Sequence, residues 1–264
     1  MVAPGFAGVV LAAGEGRRLR PLSDVRPKAL CTVGGRPLLE WAVERLRPYV
    51  AELAVNAHAH LDLMLAWLDG HDVQVSVEPG EARGTAGALG LLHDWLDRRP
   101  VMVTNADAWY PPEMAAVLAD LVAGWDGDRP RLLCSRPEDP ADGVFDGLRY
   151  VGTSLLPWWS VRDLSPEPSG LYEVSWQALH AEGGLDLVET DLPVVDCGTP
   201  ADYLRANMLA SGGQPVVEPG ARVEGTLVRS VVWAGETVGP HESLVDAVRG
   251  AGTTLQPYAT RSPG

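Results

Sequence analysis

The stretch "FAGVVLAAGEGRRLRPLSDVRPKAL", residues 6–30, decides how the rest of the chain is read. It opens as a short apolar run that ends on Gly14, the pattern of a buried strand turning into a glycine loop. Residues 11–30 then hold two glycines, four arginines and a lysine, in a chain of 264 residues with a formal net charge of −14. With 35 acidic residues against 21 basic ones, extended contact with nucleic acid or an anionic membrane is disfavoured. An anionic ligand must therefore be captured locally, and this loop is the place for it.

Downstream of the loop, strand and helix patterns alternate. "RPLLEWAVERLRPYV" (36–50) reads as a helix with Leu39, Ala42, Val43 and Leu46 on one face, and "ELAVNAH" as a strand followed by a helix through "LDLMLAWL". Strands are expected at 73–78, 100–107 and 131–136, with helices at about 85–96 and through "PEMAAVLADLVAG". Such alternation implies an α/β fold of Rossmann-like type, a mostly parallel sheet with helices on both faces. Ligands in such sheets bind beyond the carboxyl ends of the strands, where the opening loop and Asp107 both fall.

From about residue 212 the helical period disappears. Aliphatic residues recur at sixfold spacing, Val217 and Val223, then Val232, Val238 and Leu244. This spacing predicts a short left-handed parallel β-helix, with a plain β-meander as the other reading. The expected division is therefore a catalytic domain over 1–211 and a tail over 212–264.

The G-x-G of Gly14 and Gly16 is not a Rossmann fingerprint, because Leu19 stands where the third glycine would be, and no P-loop pattern occurs. What gives it weight is its neighbourhood. Glycines let backbone amides approach a polyphosphate, and adjacent guanidinium and ammonium groups supply the charge that amides lack.

The stretch "LAAGEGRRLRPLSDVRPKAL" resembles the signature of the sugar-1-phosphate nucleotidylyltransferases, L-A-A-G-x-G-x-R-x-x-P-x-[TS]-x-x-x-P-K, at Gly14, Gly16, Arg18, Pro21, Ser23, Pro27 and Lys28. "EPGEARGTAGAL" (78–89) resembles the family's base-binding segment, with Arg83 where leucine is usual. "VTNADAWY" resembles the strand end that carries one metal-binding aspartate, and "VVDCGTPADYLRAN" the segment that carries the second. Within the family, the look is toward bacterial proteins handling mannose or N-acetylmuramic acid derivatives, and the tail leans toward the mannose-1-phosphate guanylyltransferase-like branch.

The resemblance implies nucleotide contacts at Leu11, Ala12, Ala13, Gly14, Gly16, Glu78, Gly84 and Thr85, catalytic roles for Arg18 and Lys28, and Mg²⁺ held by Asp107 and Asp196. The partners it implies are a nucleoside triphosphate and a sugar 1-phosphate. The chemistry agrees, since both reactants are anions and the protein must chiefly neutralise charge and hold them in line. Mg²⁺ takes one or two carboxylates together with phosphates and waters. A lone aspartate is more often a cap or turn residue; two in matched contexts are not. Arg17, Arg20 and Arg26 read as solubilising surface charge.

Glu78 offers a carboxylate that could accept two hydrogen bonds from guanine, which tilts the donor toward GTP with mannose 1-phosphate as acceptor. A uridylyl- or cytidylyltransferase is the alternative, and a non-catalytic nucleotide-sugar sensor is the alternative from another class. Thr85 reads equally as an N-cap. The family's E-K-P sugar-binding segment is absent, leaving Gly143 and Glu173 as acceptor contacts, or as a turn glycine and an exposed strand residue. Trp109 and Tyr110 lie where an acceptor would pass. His58 and His60 read as loop histidines rather than metal ligands, and Cys31, Cys134 and Cys197 as buried thiols. The chain has no long apolar run and no secretory pattern at its start, so the expected setting is cytoplasmic, and the tail suggests a possible homodimer.

Overall fold

The computed structural model describes residues 5–258. Packing divides the chain into two compact units, one formed by residues 1–15 and 39–194, the other by 16–38 and 195–264. These divisions fall at different places from the expected step at 211/212.

The first unit is built on a seven-stranded sheet. Its strands are β1 (Ala7–Leu11), β2 (Glu52–Ala57), β3 (Gln74–Val77), β4 (Val101–Asn105), β5 (Arg131–Ser135), β6 (Arg149–Leu156) and β7 (Asp186–Glu189). In space they run β7-β5-β6-β4-β1-β2-β3. All neighbours are parallel except β6, which is antiparallel to both β4 and β5. The apolar runs of β1 and β4 are almost wholly buried, as continuous strands covered on two faces must be. Strand order reverses at β1, with β2 and β3 on one side and β4 on the other, so the β1/β4 junction is the switch point of the sheet.

Helices α1 (Leu38–Leu46), α2 (Leu61–Leu68), α3 (Gly84–Leu91) and α4 (Met114–Val122) follow their strands. On α1 the expected face of Leu39, Ala42, Val43 and Leu46 is buried. Helix α3 ends at Leu91 and a separate turn, His93–Leu96, completes the region read as one helix. Its Ala86 and Leu89 join Val9, Val103, Leu132 and Trp176 in the main core.

The second unit holds the rest of the opening loop, a hairpin of Thr32–Val33 with Arg36–Pro37, helix α5 (Pro200–Ala210) and the C-terminal strands. These are β8 (Val216–Val217), β9 (Arg222–Val223), β10 (Thr226–Val228), β11 (Val231–Val232), β12 (Thr237–Val238), β13 (Ser243–Val245), β14 (Val248–Gly250) and β15 (Thr253–Leu255). They stack as three parallel ladders, β8-β11-β14, β9-β12 and β10-β13, with β15 antiparallel on the last strand of the first ladder. Val232, Val238 and Leu244 are buried together, with Val223 packed on them. Val217, at the start of the stack, is 44% exposed.

Candidate active site

In the first unit, the ends of the parallel strands open onto a cleft of about 190 Å³. Leu11, Ala13, Gly14, Gly84, Thr85 and Asp107 line it, together with Asn56, Ala82 and Asn105. The register explains the grouping: Leu11 sits opposite Asn105 in the β1/β4 pair, and the Ala106 amide donates to the Leu11 carbonyl at 2.9 Å. The glycine loop and the Asp107 turn therefore leave the sheet side by side. Among the described residues, a Cβ on Gly14 would meet nothing within 4 Å, so none of them demands glycine there.

Glu78 does not present a free carboxylate to this cleft. It is buried; Oε1 accepts from Asn56 Nδ2 at 2.6 Å and Oε2 from the Arg83 amide at 2.7 Å. Asn56 Oδ1 in turn accepts from the Ala12 amide at 2.5 Å. The expectation of a guanine-reading carboxylate is thus corrected: Glu78 and Asn56 form a relay that fixes the glycine loop relative to the loop before α3. His58 lies beside it, with Nδ1 3.1 Å from the Glu78 carbonyl oxygen.

Helix α3 starts at Gly84 without a side-chain cap, so Thr85 is not its N-cap. The Thr85 hydroxyl accepts from the Leu171 amide at 2.8 Å. Gly84, Gly87 and Gly90 lie against the main chain of 165–169, where a Cβ would approach the carbonyl oxygens of Ser169, Glu167 and Ser165 to 2.5, 2.4 and 2.4 Å. Gly84 also has φ +68°, so its glycine is required twice over. The Arg83 guanidinium donates to the Pro79 carbonyl and lies 3.9 Å from Glu167.

Arg45 on α1 holds the Asp107 turn from beneath. It donates to Thr104 Oγ1 at 2.7 Å, to the Asn105 carbonyl at 3.4 Å and to the Ala108 carbonyl at 2.6 Å, and its guanidinium stacks 3.6 Å from the Tyr110 ring centre. Tyr110 is buried, its hydroxyl donating to the Val151 carbonyl, and Trp109 is buried as well. Neither ring is placed as an acceptor platform. Gly143 follows the short 3-10 helix Pro140–Asp142, where a Cβ would come within 2.6 Å of Gly147 main-chain atoms, and Glu173 is exposed on a π-helical turn, Tyr172–Trp176. The structure brings neither to the cleft. Among the described residues, no three His, Cys, Asp or Glu side chains cluster as metal ligands.

In the second unit, the two expected catalytic cations meet the second aspartate. Arg18 Nη2 lies 3.2 Å from Asp196 Oδ2, and Lys28 Nζ 3.2 Å from Asp196 Oδ1. The Lys28 side chain is only 9% exposed, whereas Arg18 is 67% and Asp196 52% exposed. Glycines make this possible. A Cβ on Gly198 would fall 2.7 Å from Arg18 Nη2 and 3.0 Å from Asp196 Oδ1. Gly16, at φ +65°, packs against the Lys28 and Ser23 Cβ atoms, and Ser23 Oγ donates to the Gly16 carbonyl at 2.7 Å. Thr199 caps α5 by accepting from the Asp202 amide, with Pro200 in the first turn.

Arg26 is not a solubilising charge. It pairs bidentately with the buried Glu218, at 2.7 and 3.0 Å, and stacks 4.1 Å from the Trp233 ring centre. Burial pushes the Glu218 carboxyl up, but its hydrogen bonds from Arg26, the Ala234 amide and Thr32 outweigh this and hold it below the usual glutamate value. Arg20 does stay at the surface, paired with Asp24. All three cysteines are buried.

The profile of the MobA-like NTP transferase domain matches residues 8–217. The chain belongs to that family. This NTP transferase chain is 36% identical to the N-acetylmuramate α-1-phosphate uridylyltransferase of Caulobacter vibrioides over 135 residues, 48% of this chain and 55% of that protein. It is 34% identical to the protein of the same name from Neisseria meningitidis over 170 residues, 61% of this chain and 68% of that one. A mannose-1-phosphate guanyltransferase of Schizosaccharomyces pombe is 32% identical, covering 76% and 63%. The chain thus spans about half the length of the Caulobacter relative. A solved structure described as a mannose-1-phosphate geranyltransferase from Thermus thermophilus shares the fold, with TM-score 0.70, 18% identity and coverage of 96% and 94%. The resemblance read from the opening loop is borne out at the level of the family. No helix among the described residues is long and apolar enough to cross a membrane.

Proposed function

We propose that the chain transfers a nucleotidyl group from a nucleoside triphosphate to a sugar 1-phosphate. A phosphate oxygen of the sugar phosphate attacks the α-phosphorus, the bond to the β-phosphate oxygen breaks, and pyrophosphate leaves. The observation that carries this reading is the Arg18–Asp196–Lys28 cluster, two motif cations on one carboxylate in an otherwise acidic protein. Phosphoryl-type transfer asks for charge neutralisation and alignment more than for covalent chemistry, and these residue types supply it. Arg18, the more exposed, suits the leaving pyrophosphate, and Lys28, on its buried stem, suits the α-phosphate or the incoming phosphate. The cleft with Gly14, Gly84 and Thr85 is assigned to the nucleotide.

Asp107 in the first unit and Asp196 in the second each offer hard carboxylate oxygens of the kind Mg²⁺ prefers, and each is assigned as a residue that would ligate it. When bound, the ion supplies further neutralisation of phosphate charge. The base is assigned as uracil: with both Glu78 oxygens engaged, the argument for guanine loses its basis, and the relatives matched at 36% and 34% identity over 135 and 170 residues bear the name uridylyltransferase. The parallel ladders of β8–β14 support reading the tail as a short β-helix. Pyrophosphate release measured over a matrix of nucleoside triphosphates and sugar 1-phosphates tests the proposal. Turnover with UTP and an N-acetylated sugar 1-phosphate is expected. Nucleotide binding without turnover for any pair would favour the sensor reading instead.

A further inference from the structure

The C-terminal strands hold a buried polar knot that the reaction chemistry does not use. Glu218, between β8 and β9, is 5% exposed in its side chain and accepts four hydrogen bonds. Two come from Arg26, at 2.7 and 3.0 Å, one from the Thr32 hydroxyl at 2.5 Å and one from the Ala234 amide at 2.9 Å. Arg26 and Thr32 flank Lys28 in sequence, two residues before it and four after. A single carboxylate therefore grips both ends of the turn that presents the lysine.

A second element grips the same turn. Asn207 of α5 donates to the Thr32 carbonyl at 3.2 Å and accepts from the Gly34 amide at 3.1 Å. Helix α5 begins at Pro200, two residues after Gly198 and close behind Asp196 in the chain. Its Tyr203 hydroxyl accepts from the indole of Trp233 at 3.0 Å, and Trp233 is the ring on which Arg26 stacks. Lys28, Asp196, α5 and the first two turns of the C-terminal strands thus form one continuous network within the second unit.

We propose that Glu218 is a positioning residue, through which the C-terminal strands set the place of Lys28 opposite Asp196. This rests on the nucleotidyl-transfer reading for its kinetic consequence, but the positioning itself is independent of it. A buried, bidentate Arg–carboxylate pair fixes direction as well as distance, and glutamine cannot reproduce it. A lysine displaced by about 1 Å loses on the order of a hundredfold in rate when alignment is the main catalytic device.

Cys31 supplies a readout that needs no substrate. It is fully buried, three residues beyond Lys28 and next to Thr32, and burial pushes its thiol up to about 12, so it is inert while the turn is held. Cys134, in β5 of the other unit, is buried too and serves as the internal reference.

The test compares the wild type with Glu218→Gln, Arg26→Met, the double variant and Thr32→Val. Maleimide labelling of each cysteine is followed by peptide mass spectrometry, and steady-state pyrophosphate release is measured alongside. In Glu218→Gln, Cys31 labelling is expected to rise about tenfold or more, with Cys134 unchanged, as a local opening predicts. kcat is expected to fall about tenfold or more, with KM for the nucleotide within about twofold, and the double variant should be no worse than the worse single one. Arg222→Ala, which removes an exposed ion pair of the same tail, should change neither readout. If Glu218→Gln loosens the whole fold, Cys134 reacts as well, and Thr32→Val, lacking one of the four donors, takes its place under the same criterion. Protection of Cys31 together with unchanged kcat overturns the proposal, as does matched exposure of Cys31 and Cys134 in Thr32→Val. If no substrate pair turns over in the wild type, the transfer reading fails, and the labelling alone decides the positioning.

Discussion

The Lys28 ammonium reaches Asp196 at 3.2 Å from a stem that is almost wholly buried, while Arg18, on the other oxygen of the same carboxylate, lies mostly in solvent. Burial restricts the lysine to few rotamers before any ligand arrives, so its charge is pre-aimed, whereas the arginine is free to follow a leaving group. Lys28→Met should therefore lower kcat by about 10²–10³, roughly 3–4 kcal/mol of transition-state stabilisation, with a smaller effect on KM. Arg18→Met should raise KM for the nucleotide as well as lower kcat. Steady-state pyrophosphate release separates the two patterns.

Two glycines in the nucleotide cleft should behave oppositely. Gly14→Ala adds a methyl that meets no protein atom, so thermal stability should hold while nucleotide affinity falls. Gly84→Ala places a Cβ 2.5 Å from the Ser169 carbonyl oxygen at a left-handed φ, and should cost on the order of 2 kcal/mol or more in unfolding free energy. Calorimetry and nucleotide titration on both variants check this; a destabilised Gly14→Ala would contradict the open space seen above it.

Glu78→Gln distinguishes a relay from a base reader. Glutamine keeps one acceptor but loses the second, so the Asn56 and Arg83 contacts cannot both survive. The expected result is an equal loss of kcat/KM for UTP and GTP and a stability decrease of about 1–3 kcal/mol. A selective loss with GTP would restore Glu78 as a guanine contact.

Arg45→Lys should fail to replace arginine. The guanidinium serves two carbonyls and a hydroxyl on either side of Asp107 and stacks on Tyr110, which a point charge cannot match. Stability should fall by about 2 kcal/mol, and dependence on added Mg²⁺ should shift to higher concentration if Asp107 is a ligand. An unchanged Mg²⁺ profile would separate the turn from metal binding.

Acid should loosen the second unit through Glu218. Its carboxyl is held below the usual value in the folded chain, so its contribution is present above the unfolded value near 4.5 and is lost as pH falls through the folded one. Unfolding free energy should be flat toward neutrality and decline on acidification below about pH 5, and Glu218→Gln should flatten that decline. Denaturant titrations across the acid range measure both slopes.

Most of the central sheet was legible because its parallel strands are largely buried and write themselves as apolar runs; β2, β3, β4 and β5 were read within two residues of their observed ends, and β1 was read together with the glycine turn that follows it. The cleft followed, since parallel strands deliver their carboxyl ends to one side. Strands β6 and β7 were not read: "RYVGTSLL" is interrupted by Gly152, and "DLVE" carries charge at both ends, so each owes its state to long-range pairing. The errors at Glu78 and Arg26 share one cause. A buried, hydrogen-bonded side chain and an exposed one are the same letter, and the partners that decide between them, Asn56 and Glu218, lie 22 residues before and 192 residues after. The acceptor contacts suggested at Gly143 and Glu173 rested on loop letters alone, with no periodic pattern to place them.

The glycine face of α3 has a consequence for how this sequence can vary among its relatives. Within the segment 165–169, the nearest atoms that a Cβ on Gly84, Gly87 or Gly90 would meet all belong to the main chain. At these three positions the helix meets that segment through its main chain alone. The three glycines should therefore stay fixed across descendants of this protein, while in 165–169 the pressure falls on whatever keeps the main chain in place, as Ser165 Oγ does by accepting from the Glu167 amide and Ser169 Oγ by donating to the Glu167 carbonyl.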